Sequence, residues 1–212
     1  VRLSNLHVRN VWIGIFSHDS LGRSVMEDCL ISDAQRTGIC CGAYGGGSFD
    51  VSRMTRIEIQ AASGVKNTTT SVGMVLGHFD GHEVNDCTVS GFYTGIKLTR
   101  ALSYASTQKT SLISFVDCQV QNSFFALQSC TTNTNYSWVG GALQGDVRAL
   151  DIWDARSFLV QAAVLKSQSD AAAYVRSNAA NLALSNCTLE CAAPYAVSFN
   201  SSGALVVAEC VV

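Results

Sequence analysis

Two short stretches of this chain crowd together groups that could act on a substrate. GHFDGHE (77–83) places His78, Asp80, His82 and Glu83 within six residues. LDIWDAR (150–156) holds Asp151 and Asp154 on either side of Trp153. Paired carboxyl groups are the machinery of glycosidic-bond cleavage. One protonates the leaving oxygen; the other attacks or activates water, at about 5 Å for retention and about 6.5–9.5 Å for inversion. Asp151 with Asp154, or Asp80 or Glu83 with Asp50, could supply such a pair. Trp153 could stack on a sugar ring. The competing reading makes GHFDGHE a Gly-rich polar turn and pairs Asp151 or Asp154 with Arg148 or Arg156. A zinc site on His78 and His82 lacks the HExxH helix it would need, so no metal or other cofactor is implied.

These groups must be held by something, and the elements that hold them are written in a repeat. Nine copies of one pattern run along the chain: LSNLHV (3–8), MEDCLI (26–31), MTRIEI (54–59), VNDCTV (84–89), FVDCQV (115–120), WVGGAL (138–143), VQAAVL (160–165), LSNCTL (184–189) and VAECVV (207–212). Aligned on Leu6, Cys29, Ile57, Cys87, Cys118, Gly141, Ala163, Cys187 and Cys210, they are spaced by 23, 28, 30, 31, 23, 22, 24 and 23 residues. In each copy the anchor and the residue two later are apolar while the one between varies, which is strand alternation. A second short strand follows at GIF around Ile15, GICC around Ile39, GIKL around Ile96, FAL around Leu127, ALDI around Leu150 and AVSF around Val197. Helical periodicity is nearly absent.

A chain that repeats strand, bend, strand and return satisfies its backbone by winding into a solenoid, each strand pairing in parallel with its equivalent one coil away. The predicted fold is all-β: a single right-handed parallel β-helix domain over 1–212, of about nine coils. Like residues then meet in ladders, so the recurring Cys is a small apolar filler of one inward slot. Disulfides between laddered neighbours are disfavoured by the torsion they need. The residue before each anchor, commonly Asn or Asp, is expected to shape a bend. The alternative there is a cation ladder, but the Gly-Gly-x-Gly-x-Asp signature of calcium repeats is absent.

Composition narrows the function. The 212 residues are 48% hydrophobic and 14% charged with a net charge of −2, which is too apolar for disorder. It offers no basic patch for nucleic acid. No apolar run approaches the roughly 18 residues of a membrane span. Nine cysteines cannot all pair, and most are read as buried thiols suited to synthesis in a reducing compartment.

The coil pattern resembles that of the right-handed parallel β-helix proteins, the pectin-lyase-like superfamily, and most of all bacteriophage tailspikes. The resemblance covers the whole chain but is one of coil pattern. The Asn-Thr-Asp, Asp-Asp and Gly-His-Gly set of polygalacturonases is missing, as is the Trp-x-Asp-His stretch of pectate lyases. It implies a virion-tail protein that binds, and in one variant cleaves by hydrolysis or elimination, a bacterial surface polysaccharide. It also implies a homotrimer in the full-length protein. With no capping segment visible, the 212 residues are expected to be part of a longer chain. Two other classes stay open: a non-enzymatic shaft of a fibre or adhesin, and a free-standing polysaccharide lyase, hydrolase or epimerase.

On such a scaffold, function sits in expanded returns. GAYGGGSFDVSR (42–53) carries Tyr44 and Asp50, and TRALSYASTQKTSLIS (99–114) carries Tyr104. Together they are expected to flank the 77–83 floor, with His78, His82, Tyr44, Tyr104 and Asp50 contacting substrate. The insert SGVKNTTTS (63–71) is expected at another corner.

Overall fold

The computed structural model describes residues 2–17, 24–41, 52–77, 81–99, 112–130, 134–176 and 180–212. Every strand pairing among them is parallel, and together they form a parallel β-solenoid with three strand faces. The first face includes Gly81–Asn85, Leu112–Val116, Asn135–Val139, Ser157–Gln161 and Asn181–Ser185. The second follows directly, as in His7–Arg9, Thr88–Ser90 and Val164–Ser167. The third includes Ile13–Ser17, Thr37–Cys41, Val72–Leu76, Thr94–Thr99 and Ala173–Val175. Gln119–Cys130 and Ala142–Asp154 run on from the second face to the third.

The register found between coils is the one the repeat requires. The pairings around the anchors place Leu6, Cys29, Ile57, Cys87, Cys118, Gly141, Ala163, Cys187 and Cys210 successively above one another. The slot three residues before the anchor stacks Met26, Met54, Val84, Phe115, Trp138, Val160 and Leu184, all buried. Within it the Phe115 and Trp138 rings stack at 5.0 Å. The slot two residues after the anchor holds Ile31, Ile59, Val89, Val120, Leu143, Leu165 and Leu189, also buried. All nine cysteines are free thiols.

The residue before each anchor turns the chain from the first face to the second, and it does so in the left-handed region. Asn5, Asp28, Arg56, Asp86, Asp117, Ala162, Asn186 and Glu209 have φ between 51° and 54°, and Gly140 has φ 71°. That explains the Asn and Asp preference, since their short polar side chains tolerate this conformation best among residues with a Cβ. The backbone ladder continues through the bend, with Asp86 N–H donating to Val116 O at 2.9 Å and Gln119 N–H to Cys87 O at 2.8 Å.

At the start of the third face the chain passes close to the second. Gly14, Gly38, Gly73 and Gly95 sit where Ala126, Ala149 and Ala172 sit in later coils. A Cβ built on Gly38 would lie 2.1 Å from Ile59 Cγ2 and 2.6 Å from Gly73 O. This small-residue ladder lets the third face close on the second, and it fixes which residues beside it turn outward.

Candidate functional site on the third face

The outward ladder of the third face reads Phe16, Cys40, Val75, Lys97, Gln128, Asp151, Tyr174 and Ser198, each paired in register with the next. Two surfaces lie along it, an open groove over the early coils and an aromatic platform over the later ones.

The groove has a volume of about 680 Å³. Phe16, Cys40 and Val75 line its apolar part, Arg36 and Lys97 add positive charge, and Thr69 and Thr70 add hydroxyls. The two Thr belong to the 63–71 insert, whose Val65–Asn67 forms a 3₁₀ turn. That insert lies at the corner between the second and third faces, a different corner from 77–83 as expected, and from there it lines the groove. At one end Arg36 stacks on the exposed Trp12, with its guanidinium 5.9 Å from the ring centroid. Burial pushes the Cys40 thiol up to about 11, so it stays protonated and inert as a nucleophile near neutral pH.

The platform is built around Asp151. Its position is outward, as the alternation requires, yet the residue is fully buried because neighbouring side chains close over it. The Trp153 indole donates to Oδ2 at 2.7 Å and the Gln128 amide to Oδ2 at 3.0 Å. Arg148 donates to Oδ1 at 3.1 Å, and Arg176 reaches both oxygens at 3.2 and 3.1 Å. Arg148 also pairs with Asp170 at 2.6 Å, so two carboxylates balance two guanidiniums. Burial alone would raise the Asp170 carboxyl, but the Ala171 N–H and Arg148 outweigh it and hold it below its ordinary value. The Arg176 guanidinium lies 4.0 Å from the Trp153 ring centroid, and that of Arg148 lies 3.8 Å from the Tyr174 centroid. Trp153 itself stays 49% exposed. A large aromatic ring is thus presented to solvent while pinned at its N–H and braced on its face.

Gln128 joins the two surfaces. Thr94 Oγ1 donates to its carbonyl at 3.0 Å, and its amide donates to Asp151. A continuous hydrogen-bonded chain therefore runs from the groove wall to the Trp153 indole.

The expected catalytic carboxylates fall differently. Asp151 has no surface from which to protonate a glycosidic oxygen, and its oxygens are occupied by five hydrogen bonds. The arrangement makes it an anchor for Trp153 rather than the accessible acid that was expected. The ion-pair alternative holds for Arg148, and Arg176 joins it. Asp154 is partly exposed and pairs in register with Cys130, because a β-bulge between Ser129 and Cys130 absorbs one residue. A straight count along the strand from the Lys97–Asp151 row would set Asp154 opposite Arg100; the bulge moves it one position back, onto the Thr99 row.

The 77–83 stretch also divides. His78 and Asp80 lie outside the described residues, as do Tyr44, Asp50 and Tyr104. His82 does not face the surface. It is 1% exposed, in the inward slot that Ile113, Tyr136 and Phe158 occupy in the following coils. Burial pulls its imidazole down to about 3, so it is neutral through the physiological range. Glu83 does point outward, half-exposed, and pairs with Arg53 at 2.7 Å. Among the described residues, no group of His, Cys, Asp and Glu could hold a metal ion.

Sequence reasoning missed Tyr174, Gln128, Arg176 and the Thr69–Thr70 wall. The signal was available for the first two, since they share the Lys97–Asp151 row. Compared with known proteins, this chain matches no family model, no curated protein and no solved structure.

Proposed function

We propose that this solenoid is the body of a phage tailspike-like protein, and that its third face binds a bacterial surface polysaccharide. In that reading the protein sits on the virion tail, and the full-length chain assembles as a homotrimer. The single observation that carries the binding proposal is Trp153: half-exposed, its indole N–H tied to Asp151 and one ring face braced by Arg176. An exposed indole normally costs solvent-facing apolar area and rotamer freedom, and here the hydrogen bond to Asp151 and the Arg176 guanidinium on its face hold it still. A rigid aromatic surface beside a groove rich in hydroxyl, amide and cationic groups suits a sugar ring, which has an apolar face and a polar rim. Preorganisation of this kind reduces the ordering cost of binding.

Binding of purified surface polysaccharides, measured by calorimetry, tests the proposal. Trp153→Ala is expected to weaken binding at least tenfold while leaving the thermal midpoint within a few degrees. Equal binding by Trp153→Ala, or no binding of any surface polysaccharide by the wild-type chain, overturns it. Assaying the same incubations for new reducing ends or 4,5-unsaturated products decides whether cleavage accompanies binding.

A further inference from the structure

The basic side chains of the described residues are nearly all committed to partners. Arg2, Arg9, Arg53, Arg56, Lys66, Arg148, Lys166 and Arg176 each pair with a carboxylate at 2.6–3.1 Å. Arg36 and Lys97 make no ion pair with any described residue. Arg36 lies over the face of Trp12, and Lys97 stands on the outward ladder between Val75 and Gln128. Both line the same groove, and none of its described lining residues is Asp or Glu.

The coincidence has a physical meaning. Elsewhere most of the described ion pairs join a cation to a carboxylate of the adjacent coil. In the groove two have no carboxylate partner among the described residues, in a concave surface whose apolar part is Phe16, Cys40 and Val75. Low-dielectric walls focus the field of such charges into the cleft and raise the local concentration of anions. Arg36 and Lys97 sit two coils apart, roughly 10 Å along the axis at the ordinary strand spacing. They can therefore meet charges on separate units of one extended polymer. Arg offers a planar fork for a carboxylate or phosphate, and Lys a point charge.

We infer that the ligand of this groove is an anionic polysaccharide, its carboxylate or phosphate groups met by Arg36 and Lys97 while a sugar face rests on the apolar floor. This rests on the polysaccharide reading above and adds its charge. Neutral glycans would leave both cations desolvated against nothing.

The test is a calorimetric panel on the intact chain. It comprises carboxylated bacterial capsular polysaccharides, the same polymers after carbodiimide reduction of their carboxyls, glycerol-phosphate polymers, and neutral O-antigen polysaccharides. Binding is expected among the anionic polymers only. Carboxyl reduction should weaken it at least tenfold, and Lys97→Gln and Arg36→Gln about five- to tenfold each, with Lys97→Arg retaining most of it. Preference for the carboxylated or the glycerol-phosphate arm identifies which anion is read. If neutral and carboxyl-reduced polymers bind as tightly as the acidic ones, and binding still depends on Trp153, the charge inference is wrong while the polysaccharide reading stands. If none of the polymers binds, both fall.

Discussion

Trp153 donates its indole hydrogen over 2.7 Å to Asp151, a carboxylate with no exposed surface of its own. An accessible ring of the third face is thus fastened to one of the least accessible charges among the described residues. Asp151 in turn is held by Gln128, Arg148 and Arg176, which come from its own coil and the coils on either side. Removing a partner from a buried ionic cluster strands the opposite charges.

Asp151→Ala should therefore cost about 3 kcal/mol or more, since it leaves Arg148 without one of its two counter-ions in a largely buried position. At this chain length that corresponds to roughly 6–12 °C in the thermal midpoint. Asp151→Asn, which keeps the shape and loses the charge, should fall between. On the proposed function, polysaccharide affinity should drop in Asp151→Ala, where the indole loses its acceptor, and less in Asp151→Asn, whose amide oxygen can still accept the indole hydrogen. A midpoint unchanged by Asp151→Ala would show that the cluster holds nothing together.

His82 should make the solenoid acid-sensitive. Its folded-state value of about 3 lies below the ordinary 6.5, so the unfolded chain takes up a proton that the folded chain refuses. Its contribution is complete above pH 6.5 and is lost as pH falls toward 3, at about 1.4 kcal/mol per pH unit. At pH 5 the loss from this residue is about 2 kcal/mol. Denaturant titrations of wild type and His82→Leu at pH 7.5 and pH 5 check it: the gap between the two pH values should shrink by that amount in the variant.

The close approach of the third face to the second sets a limit on side-chain size. Gly38→Ala puts a methyl group 2.1 Å from Ile59 Cγ2, so one of them must move, at about 1–3 kcal/mol. Because Gly73 O also lies within 2.6 Å, Ile59→Ala should restore only part of that loss in the double variant. Full additivity of the two changes in a double-mutant cycle would contradict the contact.

The bend residues divide by cost. Ala162 adopts φ 53° without a side chain suited to it, and Ala162→Asn should gain about 0.5–1 kcal/mol. Asp86 adopts φ 51° with one, and Asp86→Val should lose about 1–2 kcal/mol. Opposite signs in urea denaturation are the expected outcome.

The architecture was legible because its signal is redundant. An error at any one of nine anchors would have broken the spacing, and the ladder from Leu6 to Cys210 pairs in the register the repeat implied. The candidate site was legible only in part, and for local reasons. Outward direction was readable for Asp151, but cover was not, since Gln128, Arg148, Trp153 and Arg176 meet over it from three coils. His82 was misplaced by reading GHFDGHE as one turn. Counting back three from Cys87 across the bend to Val84, and then two more to His82, gives the inward slot. Asp154 moved because a bulge has no composition signature in LDIWDAR. That Arg36 and Lys97 have no carboxylate partner among the described residues is a fact of spatial neighbours, which no linear pattern encodes.

The left-handed bend at every anchor makes the number of coils a free variable. Each unit enters and leaves with the same backbone direction and hands on the same slot sizes, so excising the residues from Gly141 to Ala162 would join Gly140 to Ala163 with like meeting like. A body of this type can lengthen or shorten by whole coils without redesign, extending the outward ladder of its third face by one residue per coil.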